Sequence, residues 1–248
     1  MKQTRFALPK NLKSTSKWEA VDEFANSDLA FELRTKITNN LRTTAIFGRL
    51  DEIEGADIEE FKVVVIGNKG TGKTSLIFNL CDIQSKDQAP THGVAEYNAY
   101  WPIKLTRGGR PKIVHLQFWD AGIWCLTDES KVLEKRLKEQ QAENGDAVLY
   151  VCTSTDYKSF STIQAMIESN SAPVPLPPVR VVVMTRADQW VKRAVGSRDL
   201  TSIRKEYAVG TCGISNATSV SPSFEKQDAT RLLNMLSCKL LEQRYKDG

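Results

Sequence analysis

The chain has 248 residues, 41% of them hydrophobic, and a formal net charge of +4, room for one α/β domain with an appendage but too little charge for a nucleic-acid surface. No apolar run has the length of a membrane span and none near the start forms a signal-peptide core, so the expectation is a soluble, cytoplasmic protein. Five cysteines with no close pair, beside two histidines, exclude a zinc constellation and predict single buried thiols in a reducing compartment.

Residues 1–16 read as a basic tail: Lys2, Arg5, Lys10, Lys13 and Lys17 precede the first acidic residue, Glu19. That composition also fits a mitochondrial transit peptide, but Pro9 interrupts it and acidic residues follow at once, which favours a solvated tail. Over 17–57 the apolar residues Trp18, Val21, Phe24, Leu29, Leu33, Ile37 and Leu41 recur at helical spacing, predicting a helical extension, as one helix or as two broken near Asn26-Ser27-Asp28 with Ser27 capping the second. These helices either pack on the domain at 58–248 or offer a docking face.

The run Phe61–Ile66 predicts a buried strand, and the next eight residues, Gly67-Asn68-Lys69-Gly70-Thr71-Gly72-Lys73-Thr74, form a complete Walker A loop. In such a loop the backbone N–H groups of Asn68 to Ser75 turn onto phosphate oxygens, Lys73 reaches the β- and γ-phosphates, and the Thr74 hydroxyl ligates Mg²⁺. A helix starting near Lys73 adds its positive end. After a polar stretch comes Thr91, placed to offer a second hydroxyl to the metal. An alternating segment with Ala95, Tyr97, Ala99, Trp101 and Ile103 on one face then turns at Gly108-Gly109 into Ile113–Trp119, predicting an antiparallel hairpin at a sheet edge.

Asp120 closes that second strand as the expected Mg²⁺ carboxylate, with Gly122 free to place an N–H near the γ-phosphate. Ala147–Cys152 and Val179–Met184 are apolar throughout, as strands covered on both faces are. Thr185-Arg186 then leads to Asp188, whose carboxylate can accept the ring N–H and the exocyclic amine of guanine; adenine lacks both donors, so the site would select GTP. Ala229–Leu241 supplies the final helix. The order of elements is that of a doubly wound α/β fold, with its ligands at the carboxyl ends of the strands.

Walker A, Thr91-His92-Gly93, Trp119-Asp120-Ala121-Gly122 and Thr185-Arg186-Ala187-Asp188 occur in the order and rough spacing of Rab/Ras-like small GTPases. Trp101-Pro102-Ile103-Lys104-Leu105, Phe118 to Gly122, and Trp18 with Phe47-Gly48-Arg49-Leu50 further resemble the Rab-like small GTPase family of the ciliogenesis and planar polarity effector (CPLANE) complex. The resemblance implies a P-loop NTPase of the small GTPase (G-domain) fold, with a mostly parallel six-stranded sheet and an N-terminal helical extension. It implies GTP/GDP and Mg²⁺ as cofactors, and Inturned, Fuzzy and the WD-repeat planar cell polarity effector as partners. The implied setting is the basal body and cytoskeleton, in cilium assembly and intraflagellar transport. No feature points to a homo-oligomer, and with Cys238 well inside the chain the expectation is no prenyl anchor.

Three departures from that family bear on activity. Ile123 stands where Rab-type enzymes carry the water-orienting glutamine, in a loop one residue shorter, and Lys69 fills a Walker position that is usually small. Arg186 replaces the usual lysine, and Ser215-Asn216-Ala217 is the candidate that the resemblance implies for the family's last guanine contact, normally a Ser-Ala-Lys loop. The competing reading is therefore a pseudo-GTPase interaction module that holds GTP and hydrolyses almost none of it; a P-loop kinase or ATPase would need a lid and an acceptor site that the sequence does not offer.

Overall fold

A computed structural model of the chain describes residues 18–19, 57–81, 83, 94–105, 112–121, 145–168, 177–215 and 222–245. In chain order these form strands β1 (Trp18–Glu19) and β2 (Asp57–Ile66), helix α1 (Lys73–Leu80), and strands β3 (Val94–Leu105), β4 (Lys112–Ala121) and β5 (Ala147–Thr153). Helix α2 (Tyr157–Glu168), β6 (Val179–Thr185), α3 (Ser197–Tyr207), β7 (Gly210–Gly213) and α4 (Pro222–Arg244) complete the described elements.

The strands make one sheet in the order β1-β3-β4-β2-β5-β6-β7. From β4 to β7 every neighbouring pair is parallel. The edge is antiparallel, where β3 pairs β4 from Val94↔Ala121 to Ile103↔Lys112. This is the hairpin that the alternating pattern predicts; its Gly108-Gly109 turn lies outside the described residues. The register puts Ala99 and Ile103 in the core with Tyr97 and Trp101 packed against it, and the Trp101 indole Nε1 donates to Asn234 Oδ1 of α4 at 2.7 Å.

Burial explains the layering. Every residue of β5 is buried, because helices cover both faces of the sheet there. On one face, Leu76, Ile77 and Leu80 of α1 and Leu232, Leu233, Leu236, Leu240 and Leu241 of α4 pack on Val63, Val65, Leu149, Val151, Val181 and Val183. On the other, Phe160, Ile163 and Ile167 of α2 and Leu200 and Ile203 of α3 pack on Val148, Tyr150, Cys152, Val182 and Met184. Cys152 and Cys212 are buried free thiols, and burial pushes both up to about 12, far from a reactive thiolate. Among the described residues no helix is long and apolar enough to cross a membrane.

Two expectations are corrected. Trp18, read as the start of a helix, forms with Glu19 a short antiparallel strand against Leu105 and Lys104, so the sheet gains a seventh strand. Helical spacing is a local signal, whereas this pairing is dictated by a distant strand edge. Asp57, assigned to the extension, already belongs to β2, because Asp57↔Lys112 continues the parallel ladder beyond the apolar run. Nearly all of the predicted helical extension, including Ser27, and the basic tail lie outside the described residues.

Candidate functional site

The chain runs from β2 out to β3 and β4 on one side and then crosses to β5 on the other, so β2 lies between β4 and β5. That reversal is the switch point at which open α/β sheets bind ligands, beyond the carboxyl ends of the strands. The loop after β2 is Gly67 to Gly72. A side chain at Gly67 would collide with the Val151 carbonyl of β5, so only glycine lets the loop leave the sheet here. Gly70 and Gly72 have φ of +78° and +86°, which again favours glycine.

Helix α1 starts at Lys73, which is 9% exposed. Its ammonium donates to the carbonyls of Gly67 at 2.9 Å and Asn68 at 3.2 Å, so the loop is wrapped around this cation. Thr71 Oγ1 closes the turn by donating to Asn68 O at 2.9 Å, and Asn68 Nδ2 reaches Thr162 Oγ1 of α2 at 3.3 Å. Lys69 is exposed. One residue along the helix, Thr74 Oγ1 donates to Asp120 Oδ2 at 2.6 Å, and Asp120 is fully buried at the end of β4. A hydroxyl in the first turn of α1 and a carboxylate at the end of β4 are hard oxygen donors suited to Mg²⁺. Among the described residues no three His, Cys, Asp or Glu gather to hold a metal by themselves. A cation between Thr74 and Asp120 would take its remaining ligands from phosphates and water, as Mg²⁺ usually does.

The third part of the site follows β6. Thr185, 1% exposed, places Oγ1 at 2.6 Å from Thr71 O and 3.2 Å from Cys152 O. Arg186 takes a left-handed conformation, φ +54°, and its guanidinium donates to Gly70 O at 3.1 Å and Thr155 Oγ1 at 3.4 Å. Asp188 has a buried Oδ1 without a hydrogen-bond partner among the described residues. A buried carboxylate oxygen left so is costly unless a ligand donor reaches it, which fits a base with N–H groups at its edge. Beside this loop, Ser215 N donates to Asp228 Oδ2 at 3.3 Å. Burial raises the Asp228 carboxyl above its ordinary value, against the lowering pull of that bond and of Arg231.

The structure thus gathers Asn68 to Ser75, Asp120, Thr185, Arg186 and Asp188 beyond the carboxyl ends of β2, β4 and β6. Thr91, Gly122, Ile123 and Ala217 lie outside the described residues. Sequence reasoning missed Ser154 and Thr155. A polar Thr153-Ser154-Thr155 run closing an all-apolar strand was the available signal, since that end of a strand is where α/β sheets bind.

The Ras family profile matches residues 62–227. Ciliogenesis and planar polarity effector 2 of Xenopus tropicalis is 33% identical over 153 residues, 61% of this chain and 58% of the relative. The Homo sapiens protein of that name is 29% identical over 152 residues, 61% and 57% of the two chains. The alignments therefore span under two thirds of these relatives' length. The Mus musculus Ras-related protein Rab-33A is 27% identical over 196 residues, 77% of this chain and 76% of its own.

Proposed function

This chain belongs to the Ras family, and from that premise we propose that it binds GTP and GDP with Mg²⁺ and acts as a switch or assembly subunit of a CPLANE complex. The observation that carries the nucleotide reading is the bond from Thr185 Oγ1 to Thr71 O, which ties a base-reading segment to a phosphate-binding one. Within this reading Asn68 to Ser75 hold the phosphates, with Lys73 as the cation among them. Thr74 and Asp120, joined by Thr91, hold the metal. Gly122 serves the γ-phosphate. Thr185, Arg186, Asp188 and Ala217 frame the base. The bound nucleotide supplies the charge and the base edge that these groups neutralise and recognise. The same proposal divides the chain into a basic tail at 1–16, an appendage that ends before Asp57, and the nucleotide domain, which begins with β2.

The complex, with Inturned, Fuzzy and the WD-repeat effector at the basal body in cilium assembly and intraflagellar transport, is supported by the likeness to ciliogenesis and planar polarity effector 2. Co-expression of the chain with those three subunits tests it, and failure of all three to co-purify overturns it.

Chromatography of the nucleotide released from denatured protein tests the binding. GTP or GDP is expected; ATP, or no nucleotide after reconstitution with Mg²⁺ and GTP, overturns the proposal. A second reading, a static pseudo-GTPase module, is favoured by Ile123 and by the exposed Lys69. Glutamine-positioned water and an arginine supplied in trans are worth about five orders of magnitude in rate. With the glutamine absent, single-turnover hydrolysis of bound GTP is expected on the order of 10⁻⁴ s⁻¹ or slower; a rate near 1 s⁻¹, about that of an assisted enzyme, would exclude the static module.

A further inference from the structure

Ser154 follows the last residue of β5 and is fully buried. A buried hydroxyl needs a partner, and this one donates to the Arg186 carbonyl at 2.6 Å. The backbone of the same residue holds the neighbouring segment at both ends. Ser154 N donates to Thr185 O at 3.0 Å, and Ser154 O accepts from Ala194 N at 2.7 Å and Val195 N at 2.9 Å. Everything between those anchors is the loop that carries Asp188.

Inside the loop, Gln189 N donates to Arg186 O and Trp190 N to Asp188 O, each at 3.0 Å. Arg193 Nη2 donates to Ala187 O at 2.7 Å, and its guanidinium carbon lies 4.0 Å from the Trp190 ring centre. Two consecutive carbonyls, those of Arg186 and Ala187, are thus each fixed by a side chain. The first belongs to a residue at φ +54°, a conformation that non-glycine residues seldom adopt unless their surroundings hold them there.

We propose that Ser154 is a positioning residue for base recognition: its hydroxyl, bound to the Arg186 carbonyl, sets the peptide that aims Arg186 at Gly70 and leaves the Asp188 carboxylate turned inward for the guanine edge. The inference rests on the reading of Asp188 as the base reader. It assigns Ser154 no contact with the nucleotide. The serine acts before the ligand arrives, by sparing the cost of ordering the loop on binding.

Replacement by alanine tests this cleanly, because both backbone anchors survive and Arg186 O keeps Gln189 N as a donor. Titration calorimetry of the full chain with Mg²⁺ and GDP, ADP or inorganic tripolyphosphate compares the protein with Ser154→Ala. GDP affinity is expected to fall about tenfold, equivalent to about 1.4 kcal/mol, while ADP and tripolyphosphate change by less than about twofold, under 0.5 kcal/mol. Ser154→Cys, which keeps the volume and a weaker donor, should fall between, and it carries the test if the alanine variant does not fold. If the unsubstituted protein binds GDP no better than ADP, the base reading fails and this inference with it. If it prefers GDP and the variants keep both affinity and preference, this inference alone fails. Equal weakening toward all three probes marks a merely structural role and also overturns it.

Discussion

At Asp188 the carboxylate oxygen Oδ1 is buried without a partner among the described residues, and in the proposed site a guanine donor would satisfy it. Asp188→Asn converts half of that acceptor pair into a donor, which opposes the guanine edge rather than meeting it. A competition assay should then show the preference for GTP over ATP lost; its full survival would refute the role. In the proposed site Lys73 is the residue for the phosphates. Its ammonium already binds the carbonyls of Gly67 and Asn68, and Lys73→Ala removes both a loop brace and the charge that offsets the phosphates. Triphosphate affinity by calorimetry should drop by well over tenfold, more than about 1.4 kcal/mol. Both residues could be singled out in the sequence because each sits in a short motif of fixed spacing, and the fold brings both motifs to the same end of the sheet. Ser154 could not, since its partner Arg186 is 32 residues away and only the β5–β6 pairing brings them together.

Among elements, the strands and helices with a strong pattern were legible and the short ones were not. Val179–Met184 and Ala147–Cys152 were predicted almost to the residue, because an unbroken apolar run has few alternatives once helices flank it. Strand β7, Gly210–Gly213, went unpredicted: four residues with two glycines carry no periodicity, and the pairing with Val181 to Met184 creates the element. Helix α4 runs further in both directions than Ala229–Leu241, its apolar stripe marking only the part that faces the sheet. That stripe holds the helix in place. Leu236 is fully buried in the core, so Leu236→Ala should cost about 2–5 kcal/mol by denaturant unfolding, through lost burial and the cavity left behind. A loss below about 0.5 kcal/mol, the range of an ordinary surface substitution, would mean that α4 is not seated as described.

Across the whole molecule, the end of the sheet remote from the site is closed by charge. Glu59 of β2 accepts from Lys112 of β4 at 2.7 Å, from Arg244 of α4 at 2.8 Å and from the Tyr245 hydroxyl. Burial alone would raise the Glu59 carboxyl, but the bonds from Lys112, Tyr245 and Arg244 outweigh it and hold the group below its ordinary 4.5. Its folded value is lowered, so the stabilisation is present above pH 4.5 and is lost as the pH falls through the folded value. Unfolding midpoints measured against pH should therefore decline below that point, and Glu59→Gln should flatten the decline while lowering stability at neutral pH; an unchanged slope would show that the cluster is not coupled to folding. At the sheet's other margin, the pairing of Trp18 and Glu19 with β3 spans only two residues, yet it closes a loop containing β2, α1 and most of β3. So short a rung offsets little of the closure entropy and opens while the rest of the sheet stays paired. The β3 border is in consequence guarded by a tethered competitor, whose effective concentration there is set by the intervening chain and stays the same however dilute the protein becomes.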